Sequence, residues 1–422
     1  MPADPVTQRR TFHGWRIAWA LAVTQTVGFG ILFYAFQVFT LPMEAELGLT
    51  RAQTSGAYSL ALLLSGLTAV PVGRWVDRHG ARALMTWASL AGAGLVFAWS
   101  HVDSLAGLYL VQAGIGLVMS AVLYDVAFTV LAVWFRRHRL KAMLIVTLVA
   151  GLASTVFVPL ATWLVAEFGW RAALRALALV LLFANVPLHG LLLRDHPRRL
   201  QTGPDGDPAT PVGAPSPEPS VGVRDALRSA GFWWLAAAFT FDRVAVVAMA
   251  AHAVPLLLER GHEPALVATV VGTIGAMQLA GRLLFTPAAR SLDLATLTAA
   301  TFVVRVLALA LLMLPLPAAG LFAFAALFGG ANGASTLARA GLVAERFGSA
   351  NYGTINGSMS TLIAVVQTAA PLSVGFLRVA TGDYRAGLLV LAGTTAAAAY
   401  AVLRSRAPRA VAHARSVGSG QA

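Results

Sequence analysis

The chain has 422 residues, of which 58% are hydrophobic and 12% charged, with a mean hydropathy of +0.72. A soluble domain carries about 25% charged residues, so composition excludes an ordinary soluble protein and points to a chain solvated by lipid. The net charge of +13 would suggest nucleic acid in a soluble protein, and the absence of cysteine excludes disulfides.

A spanning helix needs about 20 apolar residues. Twelve candidate runs begin near Gly14, Thr54, Ala83, Leu105, Ala142, Ala172, Phe232, Ala265, Ala295, Ala318, Tyr352 and Ala386. The polar residues before the first run do not form a cleavable leader, and that run is full length, so it is expected to be retained. Span one opens with Gly14-Trp15 and contains Tyr34, whose phenol can donate to a carboxylate or sit in an aromatic belt.

Between spans two and three stands Gly73-Arg74-Trp75-Val76-Asp77-Arg78-His79-Gly80-Ala81-Arg82. These charged groups cannot lie in hydrocarbon, so a short, wet turn is expected here. Gly73 and Gly80 permit tight turning and close helix approach. Asp77 can accept from a helix N-terminus or an arginine across an interface, and Arg78 and Arg82 can bridge to neighbouring helices. In span four, Tyr124 and Asp125 lie about 15 Å from the basic cluster Arg136-Arg137-His138-Arg139-Leu140-Lys141, near the bilayer midplane. Trp134-Phe135 before that cluster anchors a helix end at an interface.

The one long polar segment, about Arg194–Ser229, holds Pro204, Pro208, Pro211, Pro215, Pro217 and Pro219 and reads as a flexible linker. The expected organisation is a six-helix bundle over 1–193, a linker over 194–230, a second bundle over 231–403 and a tail over 404–422. The halves resemble each other. Pro159 in span five has Pro371 in span eleven at an offset of 212, and Gly169-Trp170-Arg171-Ala172 before span six has Asp383-Tyr384-Arg385-Ala386 before span twelve at an offset of 214.

The basic residues then fall mostly on one face. Arg9, Arg10, Arg74, Arg78, Arg82, Arg136, Arg137, Arg198, Arg199, Arg404, Arg406, Arg409 and Arg415 lie on the side of the termini, whereas Glu44, Glu46, Asp103, Glu167, Glu259 and Glu263 lie opposite. The positive-inside rule accounts for this asymmetry and places both termini in the cytoplasm. Nucleic-acid binding is not needed to explain the charge.

Deep charges in the second half are functional candidates, because burying one is costly unless it is paired or hydrated. Asp242 and Arg243 lie mid-span in span seven and point about 100° apart, so one can reach a cavity while the other pairs with a neighbour. His252 reads as an interfacial hydrogen-bonding residue, and Arg305 in span nine as an ion-pair partner. Arg339 lies in span ten. Arg282, with Gln278 one turn away, falls opposite Ala69 at an offset of 213, which places it inside the membrane rather than in the loop after span eight.

The pattern Gly73-x-x-x-Asp77-Arg78-x-Gly80-x-Arg82 between two spans resembles the signature loop of the major facilitator superfamily of secondary transporters. Trp134-Phe135-x-x-His138-Arg139, with Gly14-Trp15 and Gly169-Trp170-Arg171, is similar to its monocarboxylate and oxalate/formate branch. The resemblance implies an all-α membrane protein of twelve transmembrane helices in two pseudo-symmetric halves. Binding would be near the midplane, with alternating access by rocking and spans one, four, seven and ten lining the cavity. It also implies that the Gly73–Arg82 loop is a conformational latch and that Arg282 is the substrate-binding arginine of span eight. In that branch an aspartate stands four positions before the arginine, or a lysine in span eleven; here the positions offer Gln278 and Gln367, and Arg339 is left as the second positive charge.

The expectation is a secondary active transporter of a small, monocarboxylate-like organic anion in a cell membrane, proton-coupled or exchanging, acting as a monomer. Arg282, Arg339, Tyr34, Tyr124 and Gln278 are the substrate candidates, and Asp125 and Asp242 the proton candidates. The alternatives are efflux of a drug or hydrophobic cation, with Asp125 reading the cation, and a non-transporting sensor or membrane-embedded structural partner; a sensor is expected to carry an output domain, for which the linker and the Val402–Ala422 tail are too short and featureless. No phosphate loop, metal-ligand spacing or nucleophile elbow is present, so no enzyme, cofactor or metal is expected.

Overall fold

A computed structural model describes residues 12–208 and 218–405. Expectations for Arg9, Arg10, Pro211, Pro215, Pro217, Arg406, Arg409, Arg415 and most of the 404–422 tail lie outside the described residues. Among the described residues the chain is almost wholly helical and forms twelve membrane-crossing segments in two sets of six. Span one is His13–Leu47. Span two is Arg51–Leu67 and Ala69–His79, bent by 42°. Span three is Arg82–Trp99 and span four Leu105–Trp134. The continuous run Arg139–Leu192 holds spans five and six, separated by non-helical backbone at Gly169. Spans seven to twelve are Ala230–Glu259, Pro264–Ser291, Leu294–Leu311, Ala318–Phe347, Tyr352–Thr381 and Arg385–Arg404.

The face where the described chain begins and ends is called here the basic face, and the helix that departs most from expectation lies there. The difference is largest at Gly73–Arg82, and the expected ten-residue turn is corrected. Ala69–His79 is helical, and only Gly80 and Ala81 turn. An amphipathic helix end can stand in the interface because its apolar side packs on neighbours while Arg74 and Arg78 reach water. Gly80, at φ +85°, stops it, because a left-handed position favours glycine.

Three clusters of buried apolar residues define the shape. One unites both halves at the basic face, from Ile17, Phe128, Trp134 and Met143 to Phe302, Leu337, Phe347 and Tyr352. Toward the opposite face each half has its own core, around Phe39, Trp99 and Leu177 in the first half and around Leu257, Phe324 and Leu388 in the second. The molecule is therefore sealed at the basic face and divided at the other.

The described flanks of the linker are ordered rather than free. Asp205 accepts from the backbone N–H groups of Arg136, Arg137 and His138, capping the start of the Arg139–Ala150 helix. Glu218 accepts from Arg139 of the first half and from Ser349 of the second. The composition is that of a linker, but carboxylates at two points anchor it to helix ends that need acceptors and cations.

Candidate functional site

Span two meets span eleven and span five meets span eight, so the halves touch through pseudo-symmetric pairs. At the basic face Gly73 lies against Gly353 so closely that a Cβ on Gly73 would stand 2.1 Å from the Gly353 carbonyl oxygen. There the Asp77 carboxylate accepts from the N–H of Gly353 at 2.8 Å, the N–H of Thr354 at 2.7 Å and the Thr354 hydroxyl at 2.6 Å. The two backbone donors are orphan groups of the first turn of span eleven, so the charge also meets the positive end of the helix dipole. Arg82 donates from its backbone to Asp195 and from its side chain to the Gly190 carbonyl, both at the end of span six. Arg78 is exposed and lines a cavity of about 480 Å³ at the basic face with Asp77, Arg136 and Ser349. That cavity lies beyond the contact of Gly73 with Gly353 and away from the midplane.

Deeper, several helices are broken at similar depth. Residues Phe29–Tyr34 of span one form a π turn. Span four is interrupted at Leu123, whose backbone is extended, and Gln25 of span one donates to the Val122 carbonyl at 2.6 Å. Span five is interrupted at Gly151, and span eleven after Gln367. In a membrane, such breaks are tolerated where the freed backbone is buried in protein or lines a cavity.

The charged candidates gather around these breaks, in pairings the sequence did not reveal. Asp125 starts the second segment of span four and accepts from Arg339 at 2.7 Å and from Asn356 at 3.0 Å. Arg339 also donates to Ser360 at 3.1 Å. The proton candidate and one substrate candidate are thus partners of each other across the two halves. Asp242 turns away from the cavity and pairs with Arg305, whose side chain is fully buried, while its neighbour Arg243 is exposed and donates to Gln367 of span eleven at 3.3 Å. His252 bridges Tyr384 and the Pro371 carbonyl near the opposite face.

Arg282 is buried at 6% exposure. It crosses to the first half, donating to the Thr147 carbonyl of span five, and its Nε has no partner among the described residues. Tyr34 is within electrostatic reach of Arg282 and of Arg243, and Tyr124 within reach of Arg282 and Tyr34. Tyr124 is held by Phe29 and Phe128, at ring centroid distances of 4.4 and 5.0 Å. Gln278 lies one turn from Arg282, half-buried, in the stretch whose backbone packs on Gly333 of span ten. The structure therefore brings Tyr34, Tyr124 and Arg282 within electrostatic reach of one another, adds Arg243, and turns Asp242 to Arg305 instead, while for Gln278 it shows backbone packing on span ten.

One sequence signal could have found the Asp125–Arg339 pair. The two residues are 214 apart, the offset that relates the halves, so each occupies nearly the same place in its own half. Counterparts of a two-fold repeat can touch only near the axis.

The family model described as Major Facilitator Superfamily matches residues 18–371. The chain is similar to monocarboxylate transporter 13 of Bos taurus, at 29% identity over 399 residues covering 89% of this chain and 85% of the relative. It is also similar to monocarboxylate transporter 11 of Mus musculus, at 33% identity over 210 residues covering 48% of this chain and 44% of the relative. Among solved structures, the transporter FucP in the outward conformation matches with a TM-score of 0.71 at 13% identity, over 94% of this chain and 100% of the other. The Escherichia coli fucose:proton symporter FucP matches with a TM-score of 0.69 at 13% identity, over 93% and 98%. At such identity the likeness speaks for the fold.

Proposed function

The chain belongs to the major facilitator superfamily, and from that premise we propose that it is a secondary active transporter of a small organic anion bound through a carboxylate. The observation that carries this reading is Arg282, buried at the join of the halves with a donor left over. A carboxylate accepting from that guanidinium and from Tyr34 would gain charge-assisted hydrogen bonds and relieve an uncompensated buried charge. The relatives named for monocarboxylates point the same way. Cation efflux is disfavoured because the cavity-facing carboxylate, Asp125, is already engaged by Arg339.

The basic face is taken as cytoplasmic, so the form described is outward-facing, with Gly73, Asp77, Gly80, Arg82 and span eleven as its cytoplasmic latch. Asp125 is the proton carrier. Protonation would neutralise its carboxylate, weaken the ion pair with Arg339 on the axis between the halves and free them to rock. One copy of the chain contains every group this cycle uses.

Arg282→Gln should reduce carboxylate-induced thermal stabilisation at least tenfold in ligand concentration while leaving the ligand-free melting temperature within a few degrees. Retained affinity would sink the assignment. In proteoliposomes, Asp125→Asn should lose uptake driven by a pH gradient yet keep exchange; unchanged driven uptake would remove Asp125 from coupling.

A further inference from the structure

Arg243 lies near the middle of span seven, where a cation is costly in hydrocarbon, yet its side chain is exposed. It does not face lipid. Its guanidinium bonds Gln367 of span eleven and is within electrostatic reach of Arg339 in span ten and Tyr34 in the other half. It therefore faces the space between the halves.

The charges around that space do not balance. Asp125 is engaged by Arg339 and Asp242 by Arg305. Arg243 and Arg282 form no ion pair with a carboxylate among the described residues; the carboxylate that acts on Arg243 at longer range is that of Asp242, already paired with Arg305. Both are within electrostatic reach of the Tyr34 phenol, Arg282 from span eight and Arg243 from span seven, and neither has an ion-pair partner of its own. The hydrogen-bond partner of Arg243 among the described residues is a neutral amide at 3.3 Å, which satisfies a donor and forms no ion pair.

We propose that Arg243 is a second anion-binding residue and that the cargo carries two anionic groups, one held by Arg282 and one by Arg243, with Tyr34 donating between them. This rests on the small-anion reading above and narrows it. A monoanion would neutralise one guanidinium and leave the other bare in a closing, drying cavity. A dianion compensates both, so closure over it is electrostatically matched. Gln367 then serves to aim Arg243 by accepting from its Nε, which leaves the terminal nitrogens for the ligand.

The test is ligand-induced thermal stabilisation of the purified full chain, with two sets of probes. Acetate and propionate form the monoanion set, and malonate, succinate and glutarate the dianion set. At least one dianion should stabilise the wild-type protein at tenfold lower concentration than the monoanion of matching length. Arg243→Gln should abolish that advantage, weakening dianion binding about tenfold more than monoanion binding, and Arg243→Lys should restore part of it. The ligand-free melting temperature reports folding, and since Arg243 is exposed it should move little. Monoanions binding as tightly as dianions, or Arg243→Gln weakening both sets equally, would overturn the two-group cargo while leaving a carboxylate transporter intact. No stabilisation by any carboxylate would overturn the small-anion reading itself, and this proposal with it.

Discussion

The latch at the basic face and the cluster at the midplane are built from the same residue types and reach opposite electrostatic ends. At the latch every carboxylate is answered. Asp77 has three donors from span eleven, Asp205 caps three backbone N–H groups, and Glu218 joins Arg139 to Ser349. Two glycine backbones in contact leave no room for anything else. At the midplane cations outnumber carboxylates, and Arg282 is buried with no ion-pair partner among the described residues. Under the proposed reading, the region that closes pairs its carboxylates within itself, and the region that binds leaves cations without carboxylates for its ligand. Depth does not distinguish Asp242 from Arg243, which are adjacent; pairing does, since Asp242 is held by Arg305 and Arg243 bonds a neutral amide.

The comparison can be broken most severely at the scaffold pair nearest the site. Arg305→Met should destabilise the protein by about 3–5 kcal/mol, because it leaves Asp242 as a bare buried charge, and Asp242→Asn combined with it should recover most of that loss. Thermal unfolding of the single and double variants reads this. A single variant that unfolds like wild type would mean that the Asp242–Arg305 pair is not a scaffold charge.

A smaller effect is expected at the latch. Asp77→Asn removes the charge from hydrogen bonds worth about 1.5–3 kcal/mol, so the form closed at the basic face should lose about ten- to hundred-fold in population. The chain has no native cysteine, so spin labels at His79→Cys and Ala350→Cys would report the opening directly as a lengthened distance. An unchanged distance distribution would show that the glycine contact, not the carboxylate, holds this face shut.

The smallest effect belongs to the linker. Glu218→Gln keeps a hydrogen-bond acceptor between Arg139 and Ser349 but loses the charge, which should cost the same closed form about 1 kcal/mol. The same labels should register a shift of a few-fold, and combining it with Asp77→Asn should add, because the two carboxylates share no partner. A shift as large as that of Asp77→Asn would make the linker an equal part of the latch.

Much of the fold was legible in the sequence. Starts read at Leu105, Ala318 and Tyr352 coincide with observed helix starts, because apolar length, glycine and proline punctuation and basic flanks are local signals. The placement of Arg282 inside the membrane was also legible, because the repeat offset supplies a register. The turn at Gly73–Arg82 was read too long, because polar residues signal water, and an amphipathic helix end reaches water as readily as a loop does. The site was legible only in part. Asp125, Arg339, Asp242 and Arg243 stood out as costly charges, but their partners did not.

Sequence by itself determined how many times the chain crosses the membrane, that it does so as two related halves, and which charges are too deep to be idle, since hydrophobic length and the cost of burying charge are properties of each segment alone. Tertiary structure decided which of those charges are spent and which are free. Asp125 met its own repeat counterpart at the axis, Asp242 turned to Arg305, and Arg243 was left facing the cavity, because partner choice depends on how helices rotate and cross, and adjacent residues on one helix point about 100° apart.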